Sequence, residues 1–147
     1  MIFNSSLRSG TFPSYWKTAH IIPIHKSGDK SCCENYRPIS ILSCFAKLME
    51  SLVYVYLYNH MKPLISSRQL GFVKNRSTIS NLLEYKHYLF QAFATRGQVD
   101  SIYTDFSKAF DEFCHRLLCR KLFSYGVHGN LYRWICSYLE NRSQLVA

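Results

Sequence analysis

The chain has 147 residues, of which 48% are hydrophobic and 16% are aromatic. This composition excludes a disordered tail and predicts a folded domain with a packed core. Its 18 lysine and arginine residues against 9 acidic residues give a formal charge of +9, which favours an anionic partner such as nucleic acid or a membrane surface.

The first predicted elements are two strands joined as a hairpin. Residues 18–26, TAHIIPIHK, form a short apolar run, and residues 36–42, YRPISIL, form a second run rich in β-branched side chains. The polar segment SGDKSCCEN between them is typical of a hairpin connection. Because each run contains a proline, Pro23 or Pro38, we expect edge strands or a bulge and not the middle of a sheet.

Apolar residues at helical spacing predict four helices along the rest of the chain. The predicted helices run from Phe45 to Met61, from Ile79 to Phe93, from Phe110 to Leu122 and from Leu131 to Leu139. Pro63, Gly97 and Gly126 follow the first three helices as stop signals, and Ser107 can cap the third.

The run VDSIYTDF, residues 99–106, predicts a further strand between the second and third helices. Asp105 lies at its exit on the more polar face, whereas Ile102 and Phe106 lie on the face that can pack on a helix layer. A carboxylate at this position suits a hard cation such as Mg²⁺, but helix capping, surface charge or a salt bridge explains a single Asp as well. Together these elements predict a mostly helical α+β fold with a few short strands, in one continuous domain.

None of the six cysteines belongs to a C-x2-C pair of the kind that zinc ribbons use. No signal-peptide pattern precedes them, so we expect reduced thiols that pack as small hydrophobic groups. Cys114, His115 and Cys119 could suggest a metal site, but they share their stretch with an apolar helical stripe, which favours core packing. No run approaches the roughly 18 apolar residues of a membrane span, so we expect a soluble protein with no membrane partner.

Five segments, in the same order along the chain, resemble the reverse transcriptases of non-LTR retrotransposons, most closely those of the jockey type found in animals. The segments are FNSSLRSGTFPSYWKTAHIIPIHKSGD, NYRPISILSCFAKLMESLV, RQLGFVKNRSTISNLL, IYTDFSKAFDEFCHRLLCRKLFSYGV and RWICSYLENRSQLV. They cover nearly the whole chain, so the resemblance is specific. It implies a truncated right-hand polymerase, with residues 1–98 as fingers and residues 99–147 as the start of the palm.

For the catalytic centre, the resemblance implies that Asp105 is the first catalytic Asp, which holds both Mg²⁺ ions, and that the main-chain carbonyl of Phe106 is a further metal ligand. Phe110 matches the aromatic residue that packs under the incoming sugar, where a 2′-hydroxyl would collide. By pattern alone, Phe110 fits the apolar stripe of its helix equally well. Lys108 and Asp111 also match the family, and we interpret Asp111 as a structural partner of nearby basic residues.

The resemblance also assigns roles to four basic residues. Arg37 and Lys26 match positions near the nucleotide triphosphate, where Arg offers a planar fork and Lys a movable point charge. Without the family, solvated charges on a hairpin would explain both. Lys74 and Arg76 would contact phosphates of the template or primer, although Val73 stands where the family usually has an Arg, which weakens that contact.

The family's later blocks, including a hairpin with two adjacent Asp residues, do not occur in these 147 residues, and no Asp-Asp pair occurs anywhere in them. We therefore expect a fragment of an RNA-directed DNA polymerase. An RNA template, a DNA primer and a dNTP are the partners expected of the intact enzyme. No obligate protein partner can be inferred. Because one carboxylate leaves the second metal position unsupported, we expect no measurable DNA synthesis from this chain alone. The alternative is a non-catalytic basic module that binds RNA or DNA, or a degenerate remnant. For the family, the expected location in the cell is the nucleus or the cytoplasm.

Overall fold

The computed structural model describes residues 1–106 and 113–146. Their helices and strands are α1 (Ile2–Ser9), β1 (Thr18–His25), β2 (Tyr36–Ile41), α2 (Cys44–Met61), α3 (Thr78–Ala94), α4 (His115–Ser124), α5 (Gly129–Leu139) and β3 (Ser143–Val146). This mixture of helices and one sheet confirms the predicted α+β class. The chain divides into a first unit, Met1–Met61 with Cys114–Ala147, and a second unit, Lys62–Phe113.

The sheet lies in the first unit and has the strand order β2-β1-β3. β1 and β2 pair in antiparallel orientation, with His20 opposite Ile41 and His25 opposite Tyr36, which confirms the predicted hairpin. β3 runs parallel to β1 and pairs only with its first half. Sequence reasoning predicted no strand at β3, because four residues are too few to show a period and their partner lies over 120 residues away in the chain.

Both prolines lie where the sheet has no ladder partner on one side. Pro38 belongs to β2, which is an edge strand of the described sheet. Pro23 lies opposite Pro38 in β1, but β3 pairs only with Thr18 to Ile21, so β1 is itself an edge at Pro23. Because proline has no N–H to donate to a neighbouring strand, this placement confirms the expectation of edge positions.

The core of the first unit lies where α2, α4, α5 and the segment after α1 meet. Its buried residues are Phe12, Ala46, Met49, Val53, Leu122, Val127, Trp134 and Ile135. The predicted first and fourth helices are confirmed as α2 and α5, and each turns buried apolar residues toward this core. α1 was not predicted, because it is short and the turn formers Gly10 and Pro13 follow it directly.

α4 begins at His115, five residues after the predicted start at Phe110, and Phe113 precedes it. The proposed Ser107 cap lies outside the described residues. Gly126 follows the end of α4 as predicted, with its N–H donating to the carbonyl of Phe123 at 3.0 Å. The C-terminal boundary of this helix is therefore confirmed.

The second unit contains α3, which confirms the predicted second helix and is capped by Ser77, whose Oγ accepts from the Ser80 N–H at 3.3 Å. The predicted strand at 99–106 is wrong, because those residues have no regular secondary structure. Ile102 and Phe106 are 90% and 84% exposed, not packed on a helix layer. A strand requires a hydrogen-bonded partner, and the three strands of the described sheet all lie in the first unit.

No helix within residues 1–106 and 113–146 combines the length and the apolar character needed to cross a membrane.

Candidate nucleotide and nucleic-acid site

The loop end of the β1–β2 hairpin carries the two residues predicted to bind a triphosphate. The Lys26 N–H donates to the Asn35 carbonyl at 2.7 Å, which extends the ladder one pair beyond β1. Arg37 lies opposite Ile24. Because side chains along a strand alternate between faces, Lys26 and Arg37 lie diagonally on the same face, roughly 7–8 Å apart. Both residues are exposed, so both cations are accessible to a ligand.

The connection between the two strands is held by its own hydrogen bonds. The Asn35 side chain donates to the Asp29 carbonyl at 2.8 Å, and the Tyr36 hydroxyl donates to the Lys30 carbonyl at 2.9 Å. The Ser31 N–H donates to the Asp29 carboxylate at 2.9 Å, and this hydrogen bond lowers the pKa of that carboxyl. These hydrogen bonds give the loop beside the two cations a defined conformation.

The same sheet face continues as an aliphatic surface. Ile22 and Ile24 of β1 lie opposite Ile39 and Arg37 of β2, and Ile41 follows. The four isoleucines are between 43% and 52% exposed. The face thus joins a pair of cations at the loop end to an apolar floor.

In the second unit, Arg76 binds the main chain of the loop before α3. Its Nη1 donates to the Ser66 carbonyl at 3.0 Å and also to the Gln69 carbonyl, while its N–H donates to the Val73 carbonyl at 3.1 Å. A guanidinium has five N–H donors, and the two side-chain contacts use Nη1 alone. Arg76 therefore orders this loop, and the exposed Lys74 lies within it.

Asp105 and Phe106 lie exposed in the irregular segment that follows α3. This segment is attached to α3 by a hydrogen bond of 2.7 Å between the hydroxyls of Tyr85 and Ser101. The rings of Tyr85 and Tyr103 also meet edge to face, with centroids 6.4 Å apart. The hydrogen bond with Ser101 lowers the pKa of Tyr85. Asp105 is thus presented to solvent from a segment that is fixed a few residues upstream.

The donor chemistry at Asp105 suits Mg²⁺ in part. Asp105 offers a carboxylate and Phe106 a main-chain carbonyl, and Mg²⁺ is usually held by one or two carboxylates together with substrate phosphates. Among the residues that the structure describes, no three His, Cys, Asp or Glu side chains come together as a metal site. The described residues therefore fit one portion of the coordination shell of such an ion.

The structure brings together some of the predicted site residues. The first unit places Lys26 and Arg37 on one hairpin face. The second unit contains four others, namely Lys74, Arg76, Asp105 and Phe106. The remaining family-matched positions lie outside the described residues: Lys108, Phe110 and Asp111.

The prediction that the cysteines pack in the core is wrong for four of them. The exposed cysteines are Cys32, Cys33, Cys44 and Cys114, which lie in the hairpin loop, at the start of α2 and directly before α4. Cys119 and Cys136 are partly buried. Burial, with the neighbouring Cys136 thiol, raises the pKa of Cys119 to about 11, so this thiol stays protonated near neutral pH.

Comparison with known proteins assigns the chain to a class. The family model described as reverse transcriptase (RNA-dependent DNA polymerase) matches residues 24–146, a range that includes the hairpin cations, the Arg76 loop and Asp105. The chain therefore belongs to the reverse transcriptase family.

The individual relatives are polymerases of mobile elements. The chain is 35% identical over 152 residues to the probable RNA-directed DNA polymerase from transposon BS of Drosophila melanogaster, a match that covers 99% of the chain. It is 32% identical over 149 residues, 97% of the chain, to the RNA-directed DNA polymerase from mobile element jockey of the same fly. A third relative, the retrovirus-related Pol polyprotein from type-1 retrotransposable element R2 of Popillia japonica, is 25% identical over 95% of the chain and is covered for 19% of its own length.

These relatives confirm the predicted jockey-like resemblance. The chain spans about 16% of the length of the BS and jockey polymerases, and it corresponds to one segment of a retrotransposon RNA-directed DNA polymerase.

Proposed function

We propose that this chain supplies part of the active site of an RNA-directed DNA polymerase encoded by a non-LTR retrotransposon. In this proposal residues 1–98 belong to the fingers and residues 99–147 begin the palm. The enzyme copies an RNA template by extending a DNA primer with dNTPs. Membership of the reverse transcriptase family supports this proposal.

The observation that carries the proposal is the placement of Lys26 and Arg37 on one face of the hairpin. A planar guanidinium can bind two oxygens of one phosphate, while an ammonium follows a second phosphate as a movable charge. Two cations at diagonal strand positions can reach one triphosphate together. Because the loop beside them is held by internal hydrogen bonds, less conformational entropy is lost when the nucleotide binds.

The metal part of the proposal concerns Asp105 and the main-chain carbonyl of Phe106, which would contribute ligands to Mg²⁺. The ion supplies charge neutralisation on the phosphate oxygens during nucleotidyl transfer. The exposure of Asp105 leaves its carboxylate accessible to the ion. Phe110 would exclude a 2′-hydroxyl under the incoming sugar, and Lys74 and Arg76 would contact the template–primer backbone.

The experiment that tests the proposal is the binding of labelled dTTP to the 147-residue chain in Mg²⁺, measured by fluorescence anisotropy. Arg37→Gln and Lys26→Gln are each expected to weaken binding roughly five- to tenfold, because each removes a charge-assisted hydrogen bond from the phosphates. Arg37→Lys should weaken it less, since the charge remains and only the fork is lost. The matched control is Lys47→Gln, which removes an exposed cation of α2 and is expected to change the affinity less than about twofold.

Equal losses in Lys26→Gln, Arg37→Gln and Lys47→Gln would contradict a built triphosphate site. That result would favour the second candidate function, a non-catalytic basic module that binds RNA or DNA, which the charge of +9 supports. The affinity of such a module for RNA depends on its total charge. It therefore falls steeply as the salt concentration rises and depends little on which cation is removed.

A further inference from the structure

A groove between α4 and α5 in the first unit has two arginine side chains in its lining. Its volume is about 450 Å³, and Arg116 and Arg120 line it from α4. The other lining residues are His115, Cys119, Tyr132, Cys136, Leu139 and Glu140. The groove shares no residue with the polymerase site proposed above, so it is a separate candidate for ligand binding.

Both arginines of the groove are available to a ligand. Arg116 and Arg120 are exposed, and neither forms a hydrogen bond or an ion pair with a residue that the structure describes. They are one helical turn apart, which places their Cβ atoms roughly 5–6 Å from each other on the same side of α4. A guanidinium without a protein partner keeps its five N–H donors free for an anion.

The groove also contains four residues of types that bind metal ions: His115, Cys119, Cys136 and Glu140. Within residues 1–106 and 113–146, however, no three such side chains come together as a metal site. Burial, with the neighbouring Cys136 thiol, raises the pKa of Cys119 to about 11, and a thiol must lose its proton to bind a metal. Two arginines against one glutamate leave the lining with an excess of positive charge, which favours an anionic ligand.

We infer that this groove binds the phosphate backbone of a single-stranded nucleic acid, with Arg116 and Arg120 on neighbouring phosphates. Each planar guanidinium can bind two oxygens of one phosphate. The volume lies in the range of about 300–1,000 Å³ that whole small ligands occupy, so the groove is larger than a phosphate ion requires. The choice of nucleic acid among anionic partners rests on the proposed function.

Tyr132 supports a single strand as the ligand. Its ring is partly exposed in the groove and is held edge to face against Phe123, with centroids 5.3 Å apart. Proteins that bind single strands combine a cationic groove along the backbone with aromatic side chains for the bases. The groove between α4 and α5 offers both features.

The test is the binding of a labelled single-stranded RNA of about 12 nucleotides to the 147-residue chain, measured by fluorescence anisotropy at several salt concentrations. Arg116→Gln and Arg120→Gln are each expected to weaken binding about five- to tenfold, because each removes a charge-assisted contact with a phosphate. Each should also reduce the slope of log affinity against log salt concentration by about 0.7, the change expected when one phosphate contact on a single strand is lost.

Lys121→Gln is the matched control for the two arginine variants. It removes an exposed cation of the same helix that does not line the groove. The variant is expected to change the affinity less than about twofold and to leave the salt slope unchanged. Equal losses in all three variants would overturn the inference, because they would show a response to total charge alone.

Glu140 provides a second test with the opposite sign. Its carboxylate repels a phosphate in the groove, so Glu140→Gln is expected to strengthen RNA binding about two- to threefold. Glu84→Gln removes the same charge from an exposed position of α3 and is expected to change the affinity less. An equal gain in both variants, or no gain in Glu140→Gln, would place the RNA outside the groove and overturn the inference.

Two further ligands distinguish other sources of phosphate groups. Binding to phosphatidylserine vesicles that is tighter than binding to RNA and is lost in Arg116→Gln and Arg120→Gln would assign the groove to a membrane surface. Displacement of the RNA by inorganic phosphate, but not by chloride at the same ionic strength, would assign it to the free ion. Either result would overturn the inference.

This proposal and the proposed triphosphate site can fail separately. The binding of dTTP is assigned to the hairpin, so Arg116→Gln and Arg120→Gln should leave it unchanged. Absence of the groove effects on RNA binding, with normal hairpin effects on dTTP binding, removes only the groove. Groove effects on RNA binding without hairpin effects on dTTP binding remove only the triphosphate site.

Discussion

Ser6 links three segments of the first unit through one hydroxyl group. Its Oγ donates to the Thr11 carbonyl at 2.6 Å and accepts from the Trp134 Nε1–H at 2.9 Å. The first contact closes the turn after α1, and the second attaches this turn to α5. Ser6 is 7% exposed, so both contacts are largely shielded from water and a lost partner would not be replaced easily.

The Ser6→Ala substitution is expected to lower the free energy of unfolding by about 1–3 kcal/mol, because it leaves the buried Trp134 N–H without an acceptor. Urea denaturation of the 147-residue chain, followed by far-UV circular dichroism, measures this change. Ser5→Ala, an exposed neighbour in α1, is the control and should stay within about 0.5 kcal/mol of the parent. Equal effects at the two serines would show that the Ser6–Trp134 contact contributes nothing to stability.

At the scale of elements, the end of α4 depends on a residue that can adopt a left-handed conformation. Gly126 has φ of 88°, and the Val127 N–H that follows donates to the Leu122 carbonyl at 3.0 Å. This reversal satisfies carbonyls of the last turn and turns Val127 into the core, where it is 3% exposed. The glycine therefore couples the end of the helix to the packing of the first unit.

Gly126→Ala is expected to destabilise the chain by about 1–2 kcal/mol, since an L-residue is strained at this φ. The new Cβ would also lie 3.3 Å from the His60 Nε2, which binds the Tyr125 carbonyl at 2.8 Å. Thermal unfolding measures the change. The control is Gly71→Ala, where a Cβ meets nothing within 4 Å, and that variant should be neutral or slightly stabilising. A Gly126→Ala variant as stable as Gly71→Ala would contradict the strain argument.

The elements also show which structure can be predicted from local sequence. α2, α3 and α5 follow from apolar periodicity, and the hairpin follows from two β-branched runs joined by a short polar segment. The segment at 99–106 was predicted as a strand but is irregular, because its strand-like sequence has no partner in the described sheet. β3 was not predicted but is a strand, because it pairs with β1. A strand is defined by a neighbour that is distant in the chain, which no local pattern reveals.

The prediction of sites from local sequence is limited in the same way as the prediction of strands. The shared face of Lys26 and Arg37 follows from the hairpin register once the loop length is known. Sequence reasoning missed the hydrogen bond between Trp134 and Ser6, because the two residues are 128 positions apart in the chain. Family resemblance identified residues that match known sites, whereas contacts of this kind required the tertiary structure.

At the scale of the whole molecule, burial is uneven between the two units. Every buried hydrophobic residue among those described belongs to the first unit. α3, the long helix of the second unit, buries no residue, and its apolar side chains Ile79, Leu82 and Phe90 are 68%, 61% and 65% exposed. Because an isolated helix of this length is marginal in water, α3 should open far more often than helices that pack into the core.

Amide hydrogen exchange of the 147-residue chain, followed by mass spectrometry, tests this difference. α2 and α3 make a matched pair, with 18 and 17 residues, so helix length cannot account for a difference in protection. Peptides from α3 are expected to exchange at least about 100-fold faster than those from the buried stretch of α2, since opening α3 exposes no core surface. Equal protection would mean that α3 is covered by packing equivalent to that of α2, and the stability of the chain would then be shared by both units instead of residing in the first.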